Sequence, residues 1–115
     1  MIKRAADLIP AEKVNMRGGD GTVLVNNVTN EEEMNGKGRL FGPITLNPGC
    51  SIGFHLHEKE SELFYLVQGK AEYNDNGTLV PVEAGDMMLC RPGEGHGIAN
   101  HGDEVVLLVA VIVYE

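Results

Sequence analysis

Positive charge is scarce in this chain: 9 Lys and Arg stand against 17 Asp and Glu, a net charge of −8 at pH 7. So acidic a surface repels a phosphate backbone, which argues against nucleic acid as the main partner. Long apolar runs are also missing. The longest, Val105 to Tyr114, is 10 residues, where a membrane-spanning helix needs about 20. Residues 1–10 (MIKRAADLIP) place charges where a signal peptide needs an apolar core, and no membrane partner is expected. The 2 cysteines, Cys50 and Cys90, form neither a CxxC pair nor a disulfide framework. A reduced, cytoplasmic protein is the simple reading. No segment carries a convincing helical period beyond one turn at Ala5 to Leu8, and no linker or repeat interrupts the chain.

What the chain has is turns. Its 15 glycines and recurrent Asn, Pro and Asp punctuate short β-rich runs, the pattern of an all-β sandwich or barrel. Strands are expected at Thr22–Val28, Leu40–Leu46, Ser51–His57, Glu62–Gln68, Lys70–Asn74, Thr78–Val82, Asp86–Arg91, His96–Asn100 and Val105–Tyr114. Asn74-Asp75-Asn76-Gly77 is a strong hairpin signal, since Asn and Gly accept the positive φ of tight hairpin turns. A chain of 115 residues suits one domain, residues 1–115, burying about two-thirds of its unfolded surface around one core.

One stretch breaks the apolar pattern. In GCSIGFHLHEKESELFYLVQG, residues 49–69, two histidines sit one residue apart inside a strand-like run. Side chains alternate across a strand, so His55 and His57 share one face while Phe54, Leu56 and Glu58 take the other. Glu62 opens the next strand and can face back toward them, and a third imidazole, His96, follows the turn at Arg91-Pro92-Gly93. Three neutral imidazoles and a carboxylate suit one divalent transition metal: Fe, Mn, Ni, Cu or Zn. Surface histidines on an edge strand are the competing reading.

These residues resemble the two sequence motifs of the cupin superfamily. The first is Gly, five residues, His-x-His, three or four residues, Glu, six residues, Gly; Gly49, His55, His57, Glu62 and Gly69 fill every slot. The second is Gly, five residues, Pro-x-Gly, two residues, His, three residues, Asn. Gly85, Gly93, His96 and Asn100 match it, while Arg91 stands in the proline slot and Pro92 falls one position late. The motifs occupy residues 49–69 and 85–100. The resemblance implies a double-stranded β-helix, a jelly-roll-like barrel, with His55, His57, Glu62 and His96 converging on one metal in its mouth. It assigns Asn100 a structural hydrogen-bonding role.

The expected function is that of a metal-binding small-molecule cupin, acting on a sugar, sugar acid or related oxygenated metabolite by isomerase-type Lewis-acid chemistry. An Fe-dependent dioxygenase and a non-catalytic binder or sensor are the alternatives, so whether the chain is an enzyme stays open. Arg39 and Arg91 are the candidate cations for an acidic ligand, a role that spacing does not establish. Glu58 and Glu60 compete with Glu62 for the carboxylate position. His101 reads as a surface histidine and the cysteines as inert thiols. Phe54, Phe64, Tyr65, Tyr73, Met87 and Met88 read as packing or pocket residues. Because Val105 to Tyr114 is apolar on both faces, and small cupins resemble one another in pairing, a homodimer is expected. The competing possibility is that residues 1–20 cover the second face.

Overall fold

Alternation along each strand sorts the side chains into an inner and an outer set. A computed structural model describes residues 1–115. The strands are β1 (Ala11–Val14), β2 (Thr22–Val25), β3 (Gly38–Leu46), β4 (Ser51–Leu56), β5 (Glu60–Gln68), β6 (Lys70–Asp75), β7 (Thr78–Glu83), β8 (Met87–Cys90), β9 (Gly95–Ala99) and β10 (Val106–Tyr114). They form two antiparallel sheets, ordered β1-β2-β3-β10-β5-β8 and β4-β9-β6-β7. This is the double-stranded β-helix. No helix is long and apolar enough to cross a membrane; the helical structure is two single 3-10 turns, Ala5–Asp7 and Met16–Gly18.

The core lies between the sheets. Ile44, Leu46, Phe64, Leu66, Val106 and Leu108 enter from the larger sheet, and Ile52, Tyr73 and Ile98 from the smaller one. Burying each large aliphatic or aromatic side chain contributes about 1.5–3 kcal/mol. The apolar run at the C-terminus is explained by its place: β10 pairs with both β3 and β5 at the middle of the larger sheet. Its even-numbered residues from Val106 to Ile112 are buried, while its odd-numbered ones face out.

Each of the nine expected strands has a counterpart. β1 was not expected: Ala11–Val14 is exposed along its whole length and has no apolar alternation to announce it. It exists because the free edge of β2 offers backbone partners. At the β6–β7 hairpin, Asn76 (φ 51°) and Gly77 (φ 103°) both take the positive φ that the sequence signal demands.

The consequential irregularity is in β4. Ile52 pairs with Ile98 and His55 with His96, so β4 uses one more residue than β9 over the same span. This β-bulge puts Ile52 and His55 on the same, inner side. An unbroken strand would have grouped Ile52 with Phe54 and Leu56; instead Phe54 is 47% and Leu56 59% exposed. Phe54 on β4, and Tyr65 and Met87 on the outer side of the larger sheet, are not core residues, whereas Phe64, Tyr73 and Met88 are.

Gly53, within the bulge, lies beneath the turn at Met16–Gly18. A Cβ there would collide with the carbonyl oxygen of Arg17, so backbone meets backbone with no room for a side chain. Gly53→Ala is expected to destabilise the fold by about 1–3 kcal/mol, the usual range for overpacking. Gly102→Ala, where the nearest atom is 3.5 Å from the new Cβ, should unfold at nearly the parent midpoint. Urea or thermal unfolding of the two variants checks this pair.

Candidate metal centre

His55 lies on β4, His57 just beyond its end, Glu62 on β5 and His96 on β9. Two sheets thus contribute to one cluster. His55 and His96 are direct cross-strand partners in the β4–β9 pair, downstream of the bulge. Phe64 stacks on the His96 ring at 4.9 Å between centroids and 20° between planes. His57, Glu62 and His96 are all buried, an unusual concentration of polar groups in so small an interior.

The donor atoms converge. His57 Nε2 lies 3.1 Å from His55 Nε2, 3.1 Å from His96 Nε2 and 3.0 Å from Glu62 Oε1. His96 Nε2 is 2.9 Å and His55 Nε2 4.0 Å from the same oxygen, and one atom from each residue falls within 4.8 Å of all the others. Ligands bound at about 2.1 Å and set at right angles lie about 3 Å apart, so the four separations near 3 Å match coordination-polyhedron edges and the 4.0 Å one a pair set nearly opposite. The donor set fits one divalent transition metal.

The far side of each ring explains why the Nε2 atoms face inward. His55 Nδ1 donates to Gly53 O at 2.8 Å, using the carbonyl that the bulge turns toward it. His57 Nδ1 donates to Glu60 Oε2 at 3.0 Å. His96 Nδ1 meets the Tyr73 hydroxyl at 2.8 Å. A carbonyl and a carboxylate can only accept, which leaves the Nε2 lone pairs of His55 and His57 for the cluster. The Tyr73 hydroxyl can play either part.

Electrostatics add a competing form to this division. Burial pushes the Glu62 carboxyl up, but the imidazoles of His55, His57 and His96 around it outweigh burial and hold the group well below the usual carboxylate range. His57 is raised, first by its hydrogen bond to Glu62, so a protonated ring that donates to Glu62 and Glu60 competes with the form that offers an Nε2 lone pair. His96 is lowered by burial, which keeps it neutral and ready to ligate at pH 7.

A cavity of about 680 Å³ opens beside the cluster. His55, His57 and Glu62 line its inner end, with Ile44, Ile52 and Phe64 around them, and residues 11–17 pass along its mouth. Arg39 lines this cavity; Arg91 does not, and is exposed elsewhere. The Arg39 guanidinium is engaged by Glu60, with Nε 3.2 Å from Oε1 and Nη2 2.9 Å from Oε2.

The competing carboxylates separate cleanly: Glu58 is exposed, and Glu60 sits behind His57 rather than among the donors. His101 is exposed and contacts Glu72 at 3.1 Å. Asn100 has the structural role expected of it: its amide donates to Leu46 O and Glu104 O and accepts from Gly102 N. The Cys90 thiol is pushed up to about 11 by burial, which disfavours a thiolate nucleophile. Sequence reasoning missed Lys13 and Arg17 at the cavity and Tyr73 behind His96. The first two lie before any recognisable motif, and nothing in the local pattern around Tyr73 separates it from a packing residue.

The cupin-domain family profile matches residues 43–112. The chain is a cupin. It is 40% identical over 113 residues to the oxalate-binding protein of Thermotoga maritima, covering 98% of this cupin and 93% of that protein. It is 28% identical over 109 residues to the polyketide synthase CurC of Streptomyces cyaneus, covering 95% of this cupin and 68% of that chain. A crystal structure of a predicted oxalate decarboxylase from Thermotoga maritima superposes with a TM-score of 0.95 at 39% identity, over 100% of both chains.

For this cupin, His57→Ala is expected to abolish stoichiometric metal content, because His57 touches each of the other three donors. His101→Ala should retain the parent content. Elemental analysis of protein purified without added metal checks both, and equal content in the two variants contradicts the assignment.

Proposed function

We propose that this cupin binds a small oxygen-rich dianion of the oxalate kind on a divalent metal held by His55, His57, Glu62 and His96. The carrying observation is the convergence of the four donors, three of which line an accessible cavity. The bound ion supplies Lewis-acid polarisation of ligand oxygens at coordination positions the protein leaves free. The chain supplies the rest: an apolar wall that limits water, and cationic side chains toward the mouth. Arg39 is committed to Glu60, so Lys13 and Arg17, unpaired and lining the same cavity, are the cations that offset a dianion's charge. The name of the Thermotoga maritima relative supports the ligand class.

Binding is favoured over sugar isomerisation by the lining. Isomerisation needs a base beside a ligand carbon, and the only lining carboxylates are Glu62, held in the cluster, and Glu12, on the exposed β1. Calorimetric titration of the Mn(II)-loaded protein with oxalate should give one site per chain. Arg17→Ala should weaken it about tenfold, as loss of a charge-assisted contact does. Equal oxalate binding by the chelator-stripped protein contradicts the reading; O₂ uptake or CO₂ release would convert it to an oxidative or decarboxylating enzyme.

A homodimer is the second part of the proposal. Residues 1–20 do not cover the outer face of the larger sheet, where Phe41, Tyr65, Val67 and Met87 remain about half exposed. Across the middle of that face, Leu63, Tyr65, Val109 and Val111 place no charge outward, although the chain is strongly acidic. Two copies can meet there without like-charge contact, and a two-fold pairing covers the same patch on both. Sedimentation at micromolar concentration should return about twice 12.4 kDa, and Tyr65→Glu should return the monomer. A parent chain sedimenting as a monomer contradicts the pairing.

A further inference from the structure

Of the three ring nitrogens that face away from the cluster, one is backed by charge. His55 Nδ1 has a neutral carbonyl and His96 Nδ1 a phenol, but His57 Nδ1 has the Glu60 carboxylate at 3.0 Å. Glu60 is gripped in turn by Arg39 through both of its oxygens, at 3.2 and 2.9 Å. The oxygen that takes Nη2, Oε2, is the one that accepts from His57. Bidentate guanidinium–carboxylate pairing fixes the plane of the carboxylate as well as its distance.

Two backbone irregularities deliver this pair. Ile112 pairs with Leu40 and Val113 with Gly38, which leaves Arg39 as the extra residue of a bulge in β3. A bulge re-aims one side chain, and Arg39 and Leu40, though consecutive, both line the cavity. Lys59, just before Glu60, has φ 60°, a left-handed conformation that a long side chain seldom adopts. The tight turn it makes starts β5 at Glu60, close enough to reach back to His57.

We infer that Glu60 and Arg39 are positioning residues that orient His57 for metal and raise its donor strength, so that Arg39 serves the metal centre rather than the ligand. The inference rests on the metal-site reading of the cluster. An anionic acceptor on Nδ1–H increases the basicity of Nε2 and fixes the ring's rotation and tautomer; loss of such a partner commonly costs 10- to 100-fold in metal affinity. Because His57 is the donor in contact with all the others, its alignment governs the whole cluster.

The test is competitive titration of the protein with Co(II) alone, followed by the visible absorption of the bound ion. Glu60→Gln keeps an acceptor for Nδ1–H but loses the charge and the arginine grip; it should weaken Co(II) about tenfold and shift the absorption bands. Glu60→Ala should weaken it toward 100-fold. Arg39→Ala, which leaves Glu60 in place, should weaken Co(II) several-fold, with partial recovery in Arg39→Lys. Glu58→Gln, an exposed neighbour on the same turn, should match the parent. Unfolding midpoints of the metal-free proteins separate positioning from a loss of fold. A parent that binds no Co(II) overturns the metal-site reading and this inference with it. A parent that binds, with Glu60→Gln and Arg39→Ala matching it in affinity and spectrum, overturns the inference alone.

Discussion

Glu62 is a carboxylate sunk among apolar side chains, and the site depends on its being tolerated there. An isolated buried carboxylate would take up a proton rather than keep its charge. Here His57 and His96 hold one of its oxygens at 3.0 and 2.9 Å, and the group stays ionised. The imidazoles need partners of their own, and these are supplied outward, by Gly53 O, by Glu60 and by the Tyr73 hydroxyl. No buried side-chain nitrogen or oxygen lacks a hydrogen-bond partner. A network satisfied to its edges can sit in a low-dielectric interior, where one open valence would be costly.

Glu62 and His96 reach that interior by regular alternation, but His55 and His57 reach it through a fault in a ladder. A regular strand commits every second residue to the core, and in β4 that rule would have kept Ile52 on the face of Phe54 and Leu56. The bulge between Ile52 and His55 moves the imidazoles to the side of the buried isoleucine and turns a carbonyl toward the first of them. The bulge in β3 does the same for Arg39. Each fault has backbone packed against it: Gly53 lies under the Arg17 carbonyl, and the residues flanking Arg39 pair with Ile112 and Val113 of β10.

The N-terminal segment stands apart from this. Residues 11–17 bring exposed side chains along the cavity mouth, with Asn15 and Arg17 in left-handed backbone conformations. Its packing to the rest rests on the β1–β2 edge pairing and on the crossing of Gly19 and Gly53 backbones. Cationic side chains near the mouth and a closed polar network at the base give the cavity two different ends.

The sequence by itself determined the all-β class, the positions of nine strands and the hairpin at Asn76-Gly77, and its resemblance to the cupin motifs singled out the four residues that cluster. Each of these follows from short-range information: apolar alternation, turn chemistry, or the spacing Gly49–His55–His57–Glu62–Gly69 and its partner around His96. What only the tertiary structure decided depends on contacts between distant segments. β1 is a strand because β2 has a free edge, not because Ala11–Val14 has a pattern. Phe54, Tyr65 and Met87 face outward because of strand register and sheet position, which hydrophobicity does not encode. Arg39, read from the sequence as a cation for ligand, is joined to Glu60 across 21 residues, and Lys13 and Arg17 reach the cavity from a segment with no motif. Periodicity and spacing describe one strand at a time; a bulge or an ion pair is defined only by the partner across the sheet.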